Sequence, residues 1–389
     1  MPDEGESRSV FLTGFPGFLG SELVARLLDR YPEGVPIRCL VQSKYRDLAE
    51  RRAAEIGRDR DGADRVELYE GDITDPDLGL GEAGADSNAD PSGEPANGDL
   101  YADLQRDAVE VYHLAAVYDL GVSREVGQAV NVEGTRNVLD FAEGCPNLGR
   151  FQYVSTCYVS GRHDGVFTHE DLAVGQSFNN HYEETKFLAE VEVQRRMDEG
   201  LPATVYRPGI AVGDSQTGRT QKYDGPYFVM NLLRRQPRGV GVLATFGNPH
   251  SYEVNVVPRD FVVDAIDYLS AREDSAGEVY QLCDPSPPTV ADMMRAFGDA
   301  TGRRILRVPL PGGVGLARRS LEAVPSLADA LGVEPAVLDY LAHPTSYTSQ
   351  NAVRDLHGSG IACPPFESYV DALVAFVREN PGISTEAMV

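Results

Sequence analysis

The 389-residue chain contains no tryptophan and only three lysines, Lys44, Lys186 and Lys222, every other basic side chain being arginine or histidine. Its five cysteines, Cys39, Cys145, Cys157, Cys283 and Cys363, are scattered, with no CxxC and no His-flanked pair. That spacing excludes a zinc ribbon and a disulfide framework, so no metal is expected and the thiols are expected to be buried and free. No stretch approaches the roughly 18 consecutive apolar residues of a membrane span, and MPDEGESRSV lacks the basic-then-apolar order of a signal peptide. The expectation is a soluble, cytoplasmic protein. Basic residues are also in deficit, 35 against 60 acidic, for a formal net charge of −25, which makes nucleic acid or an anionic membrane a poor partner. Such an acidic surface stays soluble in concentrated salt, where screening removes most self-repulsion, and reads as halophilic; a bias in base composition is the competing explanation.

What is present alternates. SVFLTG is a short apolar run of strand formers, closed by a glycine turn and followed by SELVARLLDRY with apolar positions at helical spacing. PIRCLVQS, RVELYEGDI and AVEVYHLAA read as further strands, KYRDLAERRAAEIG as a helix between the first two. The helix EVGQAVNVEGTRNVLDFAEG, the strand RFQYVSTCYVSG, the helix around HYEETKFLAEVEVQRRM and the strand ATVYRPGIAVG continue the order. Strands alternating with helices predict an α/β fold, a doubly wound parallel Rossmann sheet covered on both faces. The nucleotide-binding part is expected over 8–213, with 254–284 returning to it. A smaller, mostly helical C-terminal substrate-binding part is expected from 214–253 and 285–380, and a polar tract over 79–98 reads as a surface insertion.

Four motifs carry chemistry. Thr13-Gly14-Phe15-Pro16-Gly17-Phe18-Leu19-Gly20 has TGxxGxxG spacing between a strand and an amphipathic helix, where glycines let the backbone turn and approach a pyrophosphate on the helix N-terminus. After the second strand, where NAD-specific folds place a carboxylate, the sequence runs Gln42-Ser43-Lys44-Tyr45-Arg46. Lys44 and Arg46 suit a 2′-phosphate, with Gln42 and Ser43 as hydrogen-bonding neighbours, so NADP(H) is preferred and NAD(H) stays open; solvation of a helix start is the alternative. Asp72, before Ile73, stands at the end of the third strand, where it either reaches the adenine or caps a turn. Finally, Tyr182 and Lys186 lie one helical turn apart and project toward one site, where an ammonium lowers a phenol's pKa and readies it for proton transfer.

TGFPGFLG, GDIT, YHLAAVYD, NVEGTRNVL, YVSTCYVSG, NHYEETKFLAE, YRPGIAVGDSQTG and VNVVPRDFVVDAI together resemble the extended short-chain dehydrogenase/reductase superfamily, in its fatty acyl-CoA reductase and thioester reductase branch. The resemblance implies Thr156 as the hydroxyl partner of Tyr182, with Ser155 as the alternative, and Asn131 as support for the active-site backbone. It implies a cofactor-lining loop at Leu114, Ala115 and Ala116, following His113, and a turn beside the nicotinamide at Pro208, Gly209 and Ile210. The expected activity is NADP(H)-dependent reduction of an acyl thioester or related carbonyl. A hydroxysteroid-type dehydrogenase, a sugar-nucleotide epimerase and a non-catalytic NADP-binding regulator are the rivals. A small-molecule substrate is the expected partner, and a homodimer stays open. The chain departs from the family in its long polar insertion and in carrying no adenylation or carrier region.

Overall fold

The computed structural model describes residues 8–58, 63–81, 100–309, 313–323 and 335–383. Five short strands open the chain: β1 (Ser9–Thr13), β2 (Ile37–Val41), β3 (Val66–Glu70), β4 (Ala108–His113) and β5 (Arg150–Val154). Helix α1 (Phe18–Arg30) follows β1, α2 (Arg46–Arg58) follows β2, and α3 (Leu100–Asp107) leads into β4. Between β4 and β5 one continuous rod runs from α4 (Arg124–Gly127) through a π turn (Gln128–Glu133) into α5 (Gly134–Glu143).

After β6 (Gly165–Phe167) and the long helix α6 (His181–Asp198) come β7 (Ala203–Pro208) and β8 (Ile210–Val212). The sequence reads ATVYRPGIAVG as one strand, but the chain breaks at Pro208-Gly209. Proline cannot donate to a ladder, and a side chain at Gly209 would strike the Asn255 carbonyl. β8 therefore leaves the main sheet and pairs with β10 (Val256–Pro258), which precedes α8 (Arg259–Ser270). β11 (Val279–Leu282) returns to the sheet edge beside β7.

The main sheet has seven parallel strands in the order β3-β2-β1-β4-β5-β7-β11. Its order reverses between β1 and β4, the switch point where such sheets open a crevice at their carboxyl edge. One face packs on α1 and α8 through Leu23, Val24, Leu27, Val262 and Ile266; the other packs on α5 and α6 through Val138, Leu139, Phe141, Ala189 and Val193. Each such fully buried aliphatic or aromatic side chain contributes about 1.5–3 kcal/mol, so the strands meeting at the crevice are held from both sides.

The later part has its own core, in which α7 (Pro226–Arg235) and α9 (Val290–Thr301) pack with the helix Phe366–Glu379 through Met230, Leu233, Met294, Phe297, Tyr369 and Leu373. It is less purely helical than expected: β9 (Val240–Thr245) pairs in parallel with β12 (Arg304–Pro309), and β13 (Thr345–Tyr347) pairs with β6. Partners more than 60 residues apart leave no local signature. Of the polar tract 79–98, only Gly79–Gly81 fall within the described residues.

Candidate functional site

At the switch point the chain leaves β1 through Gly14, whose φ of +97° disfavours any other residue. A side chain there would meet the backbone of Leu114 and Ala115 at 2.8 Å, and one at Gly20 would strike the Gly14 carbonyl. The turn thus closes on itself against the loop after β4. Helix α1 starts next with Gly17 as its N-cap and no side chain on its first N–H groups. Those donors, with the helix dipole behind them, can receive a pyrophosphate. The backbone itself fits a dinucleotide.

A cleft of about 410 Å³ spreads from this turn. All eight residues from Thr13 to Gly20 line it, with Gln42, Ile73, Leu114, Ala115, Ala116, Ser155, Thr156, Tyr182, Lys186, Pro208, Gly209 and Ile210. Asn131 sits behind this wall. Held by the π turn, its amide accepts from Val117 N at 2.9 Å and donates to Val117 O at 3.1 Å and Thr185 Oγ1 at 3.0 Å, clamping the lining loop to α6. Other expected residues are not among the lining. Asp72 accepts from Thr74 N and Oγ1 and from Gln42 Nε2 at 2.7 Å, which is the turn-capping alternative. Ser43 donates to Glu70, Arg46 is held by Glu50 and Glu70, and Lys44 is exposed over the Tyr45 ring.

Asn180 caps α6 by accepting from Glu183 N, and the helix then presents Tyr182, Lys186 and Glu190 along one face at intervals of four. The Tyr182 hydroxyl lies beside that of Thr156, which also caps the short turn after β5 by accepting from Tyr158 N. Ser155 is committed elsewhere, donating to Glu190 Oε2 at 2.5 Å. Burial pushes the Tyr182 phenol up from its ordinary value, and the Thr156 hydroxyl pulls it part of the way back. Lys186, expected to tune that phenol directly, instead donates to Tyr153 Oη and to Val154 O, both at 2.9 Å. Tyr153 lies beside Thr135, and Thr135 reaches Thr13 of the glycine turn through the buried, neutral His113, whose pKa burial lowers to about 3. A chain of buried polar contacts thus ties lysine to turn.

Burial lowers the Lys186 ammonium to about 7, and Glu190 offsets this in part. Its linkage to stability has a definite sign. The unfolded chain keeps the lysine proton to about 10.5, so between about pH 7 and 10.5 unfolding takes up a proton and native stability rises with pH. Urea unfolding at pH 7 and 9.5 should show that rise in the native protein, and Lys186→Met should lack this part of it. Equal pH dependence in the two proteins would mean that the amine is not buried as described.

Sequence patterns missed several lining residues. Lys222 lies 4.6 Å over the Tyr118 ring and 3.4 Å from Asp224, and all three line the cleft. Its rarity was the available signal. Tyr340 lines the opposite part, its hydroxyl donating to the buried Glu183 at 2.8 Å while its ring meets Tyr158 edge-on at 4.8 Å. Nothing local marked it.

An NAD-binding family model described as "Male sterility protein" matches residues 12–90 and 97–266. The non-canonical nonribosomal peptide synthetase FrzA of Cladobotryum sp is 29% identical over 317 residues, covering 77% of this chain and 28% of that protein. The fatty acyl-CoA reductase wat of Drosophila melanogaster is 25% identical over 339 residues, covering 77% of this chain and 60% of its own. The solved terminal R domain of the myxalamid PKS-NRPS biosynthetic pathway superposes with a TM-score of 0.77 at 25% identity, over 98% of this chain and 94% of that one. The chain spans about a quarter of the length of the first curated relatives, whose covered shares are 28%, 26% and 26%.

Proposed function

The chain belongs to the NAD-binding family described as Male sterility protein, and on that premise we propose that it is an oxidoreductase reducing an acyl thioester with NADPH, releasing an aldehyde or alcohol. The carrying observation is the Thr156–Tyr182 hydroxyl pair on the wall of the cleft that begins at the glycine turn. The turn and the α1 N-terminus would hold the pyrophosphate, Lys186 the nicotinamide ribose, and Pro208 to Ile210 the nicotinamide face. When bound, the coenzyme supplies hydride. The protein's share is electrostatic. Thr156 and Tyr182 both donate to the thioester carbonyl oxygen, where negative charge builds in the transition state. Tyr182 then gives its proton to that oxygen, and the resulting hemithioacetal collapses as its C–S bond breaks and the hydroxyl proton passes to the departing thiolate, leaving an aldehyde and a free thiol. The similarity to FrzA, wat and the R domain supports this reading over the epimerase and hydroxysteroid alternatives.

The test is a panel of decanoyl-CoA, ketosteroids and UDP-sugars with NADPH or NADP⁺, followed at the nicotinamide absorbance. NADPH loss with the thioester and appearance of decanal or decanol are expected. Turnover of a steroid alone, or sugar conversion with no net coenzyme loss, would overturn the reading.

Preference for NADPH over NADH is part of the proposal and rests on the end of β2. No carboxylate stands there, and Gln42 is drawn to Asp72. Arg46 is already paired with Glu50 and Glu70, whereas Lys44 is exposed and pairs with no carboxylate of the described residues. Lys44→Glu should raise the KM for NADPH about tenfold or more relative to that for NADH, as loss of one charged hydrogen bond predicts. An unchanged ratio of the two KM values would remove Lys44 from the assignment.

A further inference from the structure

Among the described residues the cleft wall carries two cationic side chains, Lys186 and Lys222. Lys186 stands on α6 and is committed to Tyr153 and Val154. Lys222 stands on the loop between β8 and α7, with its side chain 12% exposed. Its Nζ lies 3.4 Å from Asp224 Oδ2 and 4.6 Å from the centre of the Tyr118 ring. An ammonium has three N–H donors. A carboxylate and a ring face take two sides of this one, and the third is left for the cleft that Lys222, Asp224 and Tyr118 all line.

Stability does not explain the pair. Desolvation offsets the attraction between charges withdrawn from water, so a partly buried ion pair contributes little to the fold. Burial holds the Asp224 carboxyl above its ordinary value, and Lys222 draws it part of the way back. The Asp224 charge also raises the Tyr182 phenol. The pair therefore stands within electrostatic reach of the Thr156 and Tyr182 hydroxyls, in the same cleft, and in a chain that keeps only three lysines.

The chemistry of the reacting carbon says what such a cation can meet. Once hydride has arrived, that carbon has four substituents. Its oxygen belongs to Thr156 and Tyr182, and the new hydrogen lies toward Pro208 to Ile210. The alkyl chain needs apolar cover, which Leu120, Val229, Met293 and Leu341 supply elsewhere in the wall. Sulfur is the fourth, and negative charge builds on it as the C–S bond breaks. A free thiol has a pKa of about 8.5, and a neighbouring ammonium favours its thiolate. Of the two lining cations, Lys222 is the one left for it.

We propose that Lys222 is a further catalytic residue, the acid that receives the departing thiolate. As the C–S bond of the hemithioacetal breaks, its electron pair goes to sulfur and Lys222 Nζ gives sulfur a proton. The hydroxyl proton of the hemithioacetal passes to Nζ as the C=O bond forms. Lys222 ends as it began, an ammonium held by Asp224, and the aldehyde and free thiol leave with no electrons exchanged in this step. The assignment rests on the thioester-reductase reading, and its test separates the two.

A single turnover of decanoyl-CoA with limiting NADPH is followed at the nicotinamide absorbance and, in parallel, by trapping the released thiol with a chromogenic disulfide. In the native protein NADPH loss and thiol should appear together. Lys222→Met should consume NADPH at a near-native rate and release thiol about 10²-fold more slowly, the lower end of what a positioned proton donor contributes. Because that substitution leaves Asp224 without its cation, Lys222→Met/Asp224→Asn is measured beside it and should show the same lag. S-phenyl decanethioate, whose less basic thiolate leaves without a proton, should shorten the lag in both variants. Absence of a lag, or NADPH loss and thiol release slowed by the same factor, would overturn the role of Lys222 while leaving the thioester reading intact. Native protein that leaves decanoyl-CoA and NADPH unchanged would reject that reading and the role of Lys222 with it.

Discussion

Tyr182→Phe should lower kcat about 10²- to 10⁴-fold, the contribution of a positioned proton donor, while NADPH binding stays at the native level. The substitution is nearly isosteric. It removes one hydroxyl beside that of Thr156 and leaves the ring's packing and the glycine turn untouched. The loss corresponds to about 3–5 kcal/mol of transition-state stabilisation, more than one ordinary hydrogen bond supplies, because the same group donates to the developing oxyanion and delivers the proton. Two companions sharpen the result. Thr156→Val should cost about 10²–10³ in kcat as loss of one oxyanion donor. Ser155→Ala should leave kcat nearly native, since that hydroxyl is already given to Glu190. Native turnover in Tyr182→Phe, or a larger loss in Ser155→Ala than in Thr156→Val, would dismantle the catalytic assignment.

The largest effect on stability belongs to a pair beneath the site. Glu190 and Arg207 are both fully buried, with Glu190 Oε1 accepting from Arg207 Nε at 2.8 Å and Nη2 at 2.6 Å. Gln194 and Ser155 fill the remaining carboxylate positions, while Arg207 also reaches Thr168 O and lies over the Phe167 ring. Such a pair tolerates loss of both charges better than loss of one, because a lone buried charge has neither water nor partner. Glu190→Ala should therefore lower the unfolding free energy by about 3–5 kcal/mol, read by urea denaturation. Glu190→Leu/Arg207→Met should recover most of that loss. A cost below about 1 kcal/mol for the single variant would mean that water reaches the pair.

These two predictions differ in how far the sequence could foresee them. The glycine turn and the Tyr182/Lys186 spacing are local patterns, fixed by a tight turn and a 3.6-residue period, and periodicity alone recovers them along with the strand and helix alternation. Glu190 continues the same spacing by one more turn of α6, but only the fold brings Arg207 of β7 beneath it. Tyr340 meets Glu183 across 157 residues, and Lys222 meets Tyr118 across two loops. Neither pairing leaves a trace in period, and only the rarity of lysine marks Lys222. The β9–β12 pair fails for the same reason, its strands lying one on each side of α8 and β11. Lys186 shows a subtler limit. Its spacing from Tyr182 is local and both line the cleft, yet its hydrogen-bond partners are Tyr153 and Val154, which depends on how deeply β5 runs beneath the helix.

The hydrogen bond from Tyr340 to Glu183 also has a consequence in time. Helix α6 leaves the ribosome long before Tyr340 does, and at roughly 5–20 residues per second the interval is about 10–30 s. During that wait the catalytic helix lacks the aromatic wall that Tyr340 supplies, and the Glu183 carboxylate has only Asn179 to hold it. A nascent chain with a complete seven-stranded sheet would therefore present the glycine turn before it could complete the cleft wall. The wall of the cleft is complete only once the segment that carries Tyr340 has been synthesised.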